Sequence, residues 1–190
     1  MKVGILSLQG AFREHREVLD ALGVESIEVR APEDLGALDA VILPGGESTT
    51  MSKLLDTSEL RAPLRSLLAD GMPVLGTCAG MILLASDVLD GRPDQESFGA
   101  IDIAVRRNGY GRQRDSFEAD LEIRGLAGGR FAGVFIRSPR VERVGADVDV
   151  LATHDEVPVL LRAGPVWVSS FHPELSGDLR VHQRFLSGEA

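Results

Sequence analysis

Three short segments carry residues able to do covalent chemistry together. Gly76-Thr77-Cys78-Ala79-Gly80 holds the single cysteine of a 190-residue chain. It joins an apolar run at 73–77 to a second at 79–85, the spacing of a strand that turns into a helix. A G-x-C-x-G element in that setting suits a nucleophile elbow: a strained turn lifts the side chain above the sheet, and flanking glycines allow close backbone packing. A thiol at a helix start is favoured as thiolate by the free N–H groups there. Cys78 is therefore a candidate nucleophile, with a small buried cysteine in a tight turn as the plain alternative.

A cysteine nucleophile needs a base, and the base needs an orienting group. Ser170-Phe171-His172-Pro173-Glu174 supplies both types, directly after the apolar run Val166-Trp167-Val168. In extended backbone, residues i and i+2 project to one side, so His172 and Glu174 are expected to face the same way. Taken alone, the pair also fits an exposed histidine beside a chance carboxylate. The third segment is Pro44-Gly45-Gly46-Glu47-Ser48, again after a short apolar run. Adjacent glycines let a backbone N–H turn toward a ligand, as an oxyanion hole requires, although a plain strand-to-helix turn uses the same residues. All three segments follow expected strands, and ligands in open α/β sheets collect at the carboxyl ends of strands.

The elements that must position these residues alternate in type, which predicts an α/β fold. Strands are expected at 3–8, 24–29, 40–43 and 73–77. Helices are expected at 12–22, from Ser48 or Thr49 (as cap) toward Leu55, at 60–69, at 79–85 and at 179–186. A polar surface loop covers about 86–97. From 98 to 170, short apolar stretches at 98–105, 131–136, 148–152 and 157–169 predict a strand-rich half, with hairpins added to one edge of the sheet. His15 and His182 fall in helices among charged residues and are expected to be solvated. One domain, 1–190, accommodates the whole pattern.

Composition narrows the function. Net charge is −9, from 20 Lys and Arg against 29 Asp and Glu; this argues against nucleic-acid binding, which needs a basic surface. No stretch approaches the roughly 20 apolar residues of a membrane span, and the N-terminus has no signal-peptide pattern. With one cysteine, no intrachain disulfide or structural zinc site is expected, and a reducing, cytoplasmic setting fits. No dinucleotide or P-loop motif is present. Neither a metal nor a cofactor is indicated.

Pro44-Gly45-Gly46, Gly76-Thr77-Cys78-Ala79-Gly80 and His172-Pro173-Glu174, in that order, resemble the class I (triad) glutamine amidotransferases. More narrowly, the chain resembles the glutaminase subunits of pyridoxal 5′-phosphate synthase. This narrower likeness rests on Leu8-Gln9-Gly10-Ala11, Gly45-Gly46-Glu47-Ser48-Thr49-Thr50, Arg107-Asn108, Gly111-Arg112-Gln113, Ser116-Phe117-Glu118-Ala119, Gly133-Val134-Phe135-Ile136-Arg137 and Ser170-Phe171-His172-Pro173-Glu174-Leu175. Gly109 and Ser138 depart from it mildly.

The resemblance implies a flavodoxin-like three-layer fold: an open, mostly parallel sheet with added antiparallel strands and a nucleophile elbow. It implies Cys78 as nucleophile, His172 as base and later acid, and Glu174 as its orienting partner. Gly46 and Ala79 N–H groups would form the oxyanion hole. L-Glutamine would be held by Gly46, Glu47, Ser48, Arg107, Ile136 and Arg137. The implied reaction yields glutamate and ammonia, the latter passed to a synthase subunit within a large hetero-oligomer. That subunit would join the ammonia with a pentose phosphate and a triose phosphate. Two rival readings are a glutaminase feeding another pathway, such as the histidine-pathway cyclase, and a redox or binding protein of flavodoxin-like fold. Activity is expected to depend on the partner, with Gly45-Gly46 as a peptide able to flip and Gln9 as the residue sensing docking.

Overall fold

A computed structural model of the chain describes residues 1–107, 109 and 116–188. Asn108 and the Gly111-Arg112-Gln113 segment lie outside the described residues. The chain opens with β1 (Lys2–Leu6), α1 (Phe12–Ala21), β2 (Glu25–Val29) and β3 (Ala40–Leu43). Next come α2 (Ser48–Thr57), α3 (Arg61–Ala69), β4 (Val74–Thr77) and α4 (Ala79–Leu84). The second half contributes β5 (Ala85–Val88), β6 (Ile101–Arg106), β7 (Ser116–Leu121), β8 (Phe131–Ile136) and β9 (Arg140–Val144). It closes with β10 (Asp149–His154), β11 (Val157–Ala163), β12 (Val166–Ser169) and α5 (Arg180–Ser187).

Among the described residues, seven strands form the central sheet in the order β10-β11-β12-β4-β3-β1-β2. From β2 to β12 the pairing is parallel, and β11 and β10 extend the β12 edge antiparallel. The parallel part has the flavodoxin order 2-1-3-4-5. Both faces of these strands are covered, so each reads as an unbroken apolar run whose alternate residues enter different cores. Leu43, Val74 and Val168 pack on one side with Met51, Leu55 and Ile82 from α2 and α4. Ile42, Leu75 and Trp167 pack on the other with Leu19 of α1 and Val181 and Phe185 of α5. The expected three layers are present.

The second half differs from the sequence reading in one respect. β10 and β11 do lengthen the sheet edge, but β5, β6 and β9 form a separate three-stranded sheet, and β7 and β8 form a two-stranded ribbon. The ribbon lays Leu121, Phe131 and Phe135 onto the α1/α5 core, while exposed residues alternate with buried ones along β8. A two-stranded piece with one apolar face gains more by capping a core than by extending an edge. β5 also occupies the start of the stretch expected to be loop.

Candidate active site

Cys78 sits between β4 and α4 with φ 49° and ψ −101°, backbone angles that an L-residue tolerates only under constraint. Its N–H donates to the Ser169 carbonyl at the end of β12, 2.8 Å away, which ties the turn to the neighbouring strand. Gly80 permits the turn: a Cβ there would lie 2.0 Å from the Leu43 carbonyl oxygen. This is the elbow expected from G-x-C-x-G. The Ala79 N–H opens α4, where no intrahelical acceptor exists for it.

His172 follows β12, and its N–H donates to the Val134 carbonyl of β8, 2.8 Å away. Its Nδ1 lies 2.7 Å from Glu174 Oε1, and both side chains are buried. The pairing is as expected, but its geometry is not: residues Pro173–Leu175 form a 3₁₀ turn rather than extended chain. Pro173, at the first position of that turn, fits its fixed φ to the bend. Gly45 lies against the imidazole, where a Cβ would be 2.3 Å from His172 Cε1 and 3.4 Å from Cys78 Cβ. The glycine thus lets the third strand end approach both the cysteine and the imidazole.

Burial opposes charge on His172, but the adjoining Cys78 and Glu174 outweigh it and raise its pKa to about 10. Burial likewise opposes charge on Glu174, yet His15 and His172 hold its pKa below the ordinary carboxylate value. Both shifts favour an imidazolium paired with a carboxylate. The Cys78 thiol has Ile136 as a further neighbour, with Sγ 3.9 Å from its carbonyl oxygen.

A cavity of about 440 Å³ opens over these groups. Cys78, His172, Gly46, Glu47, Ser48, Arg107, Ile136 and Arg137 all line it, so the proposed glutamine contacts converge on the thiol. Glu174 stands behind His172 and does not line it. Glu47, rather than the expected Ser48 or Thr49, is the N-cap of α2. Its carboxylate accepts from the backbone and hydroxyls of Thr49 and Thr50 and from Arg107, 2.8 Å away. Burial works against the charge, but the Thr49 and Thr50 hydrogen bonds take its pKa down to about 2. Glu47 consequently anchors α2 and Arg107, leaving its backbone rather than its carboxylate for a ligand. Arg137 is exposed at the cavity wall with φ 44°, so that, like Cys78, it is a non-glycine residue of this site with positive φ.

The loop before α1 completes the wall with residues outside the expected glutamine contacts. Gln9, the expected sensor of the partner, accepts the Glu47 N–H on Oε1 at 2.8 Å. The Ala11 N–H donates to the Gly45 carbonyl at 2.9 Å. The Gly45–Gly46 peptide is thereby held in one orientation by the 9–11 loop. Glu14, Ile82 and Leu175 also line the cavity and were not anticipated.

His15 and His182 overturn an expectation. Both are fully buried rather than solvated. The signal was present in the helix periodicity: His15 shares a face with Val18, Leu19 and Leu22, and His182 lies beside Val181 and Phe185. Burial lowers the pKa of both, that of His182 to about 3.

The sequence matches the model of the SNO glutamine amidotransferase family over residues 5–188. It is 53% identical over 191 residues to the pyridoxal 5′-phosphate synthase subunit PdxT of Rhodococcus jostii, covering 97% of this chain and 95% of that one. It is 56% identical over 184 residues to the PdxT subunit of Mycobacteroides abscessus, with the same coverage. A crystal structure of a glutamine amidotransferase superposes with a TM-score of 0.92 at 49% identity, covering 98% of this chain and 97% of that one. The structure of PurLQS from Thermotoga maritima shares the fold, with a TM-score of 0.70 at 18% identity over 98% of this chain and 97% of that one.

Proposed function

The chain belongs to the SNO glutamine amidotransferase family, and from that premise we propose that Cys78, His172 and Glu174 perform its glutaminase reaction. The chain is a glutaminase subunit that hydrolyses L-glutamine to L-glutamate and ammonia for a pyridoxal 5′-phosphate synthase subunit. The observation that carries the residue assignment is the strained Cys78 at the floor of the cavity, beside an imidazole whose far nitrogen is held by a buried carboxylate.

The reaction follows from the charges. The proton of the Cys78 thiol passes to His172, Sγ attacks the side-chain amide carbon, and the carbonyl oxygen becomes an oxyanion stabilised by the Gly46 and Ala79 N–H groups. The His172 imidazolium gives its proton to the amide nitrogen, which leaves as ammonia, and a thioester remains on Cys78. Neutral His172 then takes a proton from water as the water attacks the thioester. The thiolate leaves, and glutamate is released. Glu174 stabilises each imidazolium without accepting its proton. Glutamine's α-carboxylate and α-ammonium groups meet charged side chains of both signs, Arg107 and Arg137 against Glu14. No metal or cofactor takes part in these steps.

Residues 1–190 act as one amidotransferase domain, working in the cytoplasm within a hetero-oligomer. No described helix is long and apolar enough to cross a membrane. The test is ammonia release from glutamine by the wild type and by Cys78→Ala, each with its synthase subunit. Release by the wild type alone among the two is expected; equal release by Cys78→Ala would overturn the assignment.

A further inference from the structure

Behind the triad, on the side away from the cavity, lies a buried chain of polar groups that the reaction above does not use. His15 Nε2, on α1, is 3.1 Å from Thr77 Oγ1 and 3.4 Å from Glu174 Oε2. His15 Nδ1 is 2.9 Å from His182 Nε2, on α5. His15, Thr77 and His182 are fully buried, and Glu174 is nearly so. Glu174 Oε1 is engaged by His172, whereas Oε2 accepts no hydrogen bond of ordinary geometry among the described residues and faces His15 Nε2 at 3.4 Å. His15 therefore touches both arms of the site: the carboxylate, and the residue immediately before the nucleophile.

The protons can be placed from the charges. A bare ring nitrogen facing a carboxylate oxygen is repelled, so Nε2 of His15 carries the hydrogen, directed between Thr77 Oγ1 and Glu174 Oε2. Nδ1 of His15 is then an acceptor, and His182 must donate from Nε2. His182 Nδ1 is left as a bare nitrogen, which matches its lack of a partner among the described residues. The groups facing His15 are Glu174, His172 and Glu14, with His182 behind it. Burial keeps His15 neutral despite the two carboxylates. A neutral donor suits this place, because it fixes Oε2 without cancelling the charge that His172 needs.

We propose that His15, set in its tautomer by His182, is a positioning residue that holds the Glu174 carboxylate in the orientation that pairs it with His172. This deepens the triad assignment and rests on it. A carboxylate gripped at one oxygen only can rotate about its terminal bond, and the imidazole it orients turns with it. Fixing the second oxygen removes that freedom. The consequence is felt in kcat, because the glutamine contacts are on the opposite side of His172.

Two amide replacements separate this role from packing. The Gln side-chain nitrogen is as many bonds from Cα as His Nε2, so His15→Gln can restore the donor to Glu174. Asn reaches only the Nδ1 position, so His15→Asn cannot. With the synthase subunit present, His15→Asn is expected to lower kcat by about 10–100-fold with little change in KM, the range for losing a polar contact to a charged group. His15→Gln is expected to regain most of that loss. A proton NMR signal from the His172 Nδ1–H bridge to Glu174 should be sharp in the wild type and His15→Gln, and broadened in His15→Asn. Equal kcat losses in the two variants, or losses that follow their melting temperatures, would overturn the proposal. So would an unchanged bridge signal in His15→Asn. The NMR readout needs no turnover: a wild type that releases no ammonia would refute the triad reading, while the bridge signal would still decide the role of His15.

Discussion

The buried pair His15–His182 should make the protein acid-labile in a pH range where carboxylates are still ionised. His182 has an ordinary value of 6.5 in the unfolded chain and about 3 in the fold, because burial penalises its charge. As pH falls, the unfolded state takes up this proton first, so stability decreases from about 6.5 downward and levels off only near 3. Between pH 7 and pH 5 the difference in proton uptake amounts to roughly 2 kcal/mol for this one group. His15 is shifted the same way and adds to the loss. His172 has the opposite sign: raised to about 10, it contributes stability that is complete below about 6.5 and disappears as pH rises through 10. His182→Gln isolates the effect, since an amide keeps a donor toward His15 but does not titrate. Urea unfolding at pH 7, 6 and 5 should show the wild type losing roughly 2 kcal/mol more than the variant over that range. Parallel pH dependences would refute the burial of a neutral His182.

Three further outcomes are expected at the site itself. Gly45→Ala should lower kcat by about 100-fold and leave the urea midpoint nearly unchanged, because its Cβ must displace the imidazole by about 1 Å to reach van der Waals contact; ammonia release with the synthase subunit measures it. His172→Asn should cost about 10⁶-fold, as the loss of a nucleophile or base does, and Glu174→Gln only about 10⁴-fold; the reverse order in single-turnover assays would exchange the roles given to them. Gln9→Ala removes the acceptor for the Glu47 N–H and should weaken the rise in ammonia release that the synthase subunit produces, an unchanged rise placing partner sensing elsewhere.

Much of this site is legible in the sequence because its chemistry needs unusual local structure. Gly80 and Gly45 mark close approaches: a Cβ would lie 2.0 Å from the Leu43 carbonyl oxygen at Gly80 and 2.3 Å from the His172 ring at Gly45. Continuous apolar runs at 40–43 and 166–168 announce parallel strands covered on both faces. What escaped the sequence depends on long-range contacts. Whether β7 and β8 extend an edge or cap a core is decided by Phe131 and Phe135 meeting Phe171, far along the chain. Glu47 caps α2 because Arg107, sixty positions away, and two threonines share its carboxylate. Charged neighbours in α1 and α5 make His15 and His182 look solvated in the sequence, yet the apolar stripe of each helix carries them inward.

The proposed role of Cys78 as nucleophile of a glutamine-splitting triad has a direct chemical test. A glutamine analogue with an electrophilic side chain, incubated with the protein and its synthase subunit and followed by peptide mass spectrometry, tests it directly. The expected result is one adduct, on Cys78, forming in step with loss of ammonia release and prevented by excess glutamine. An adduct on another residue, or loss of activity with Cys78 unmodified, would contradict it.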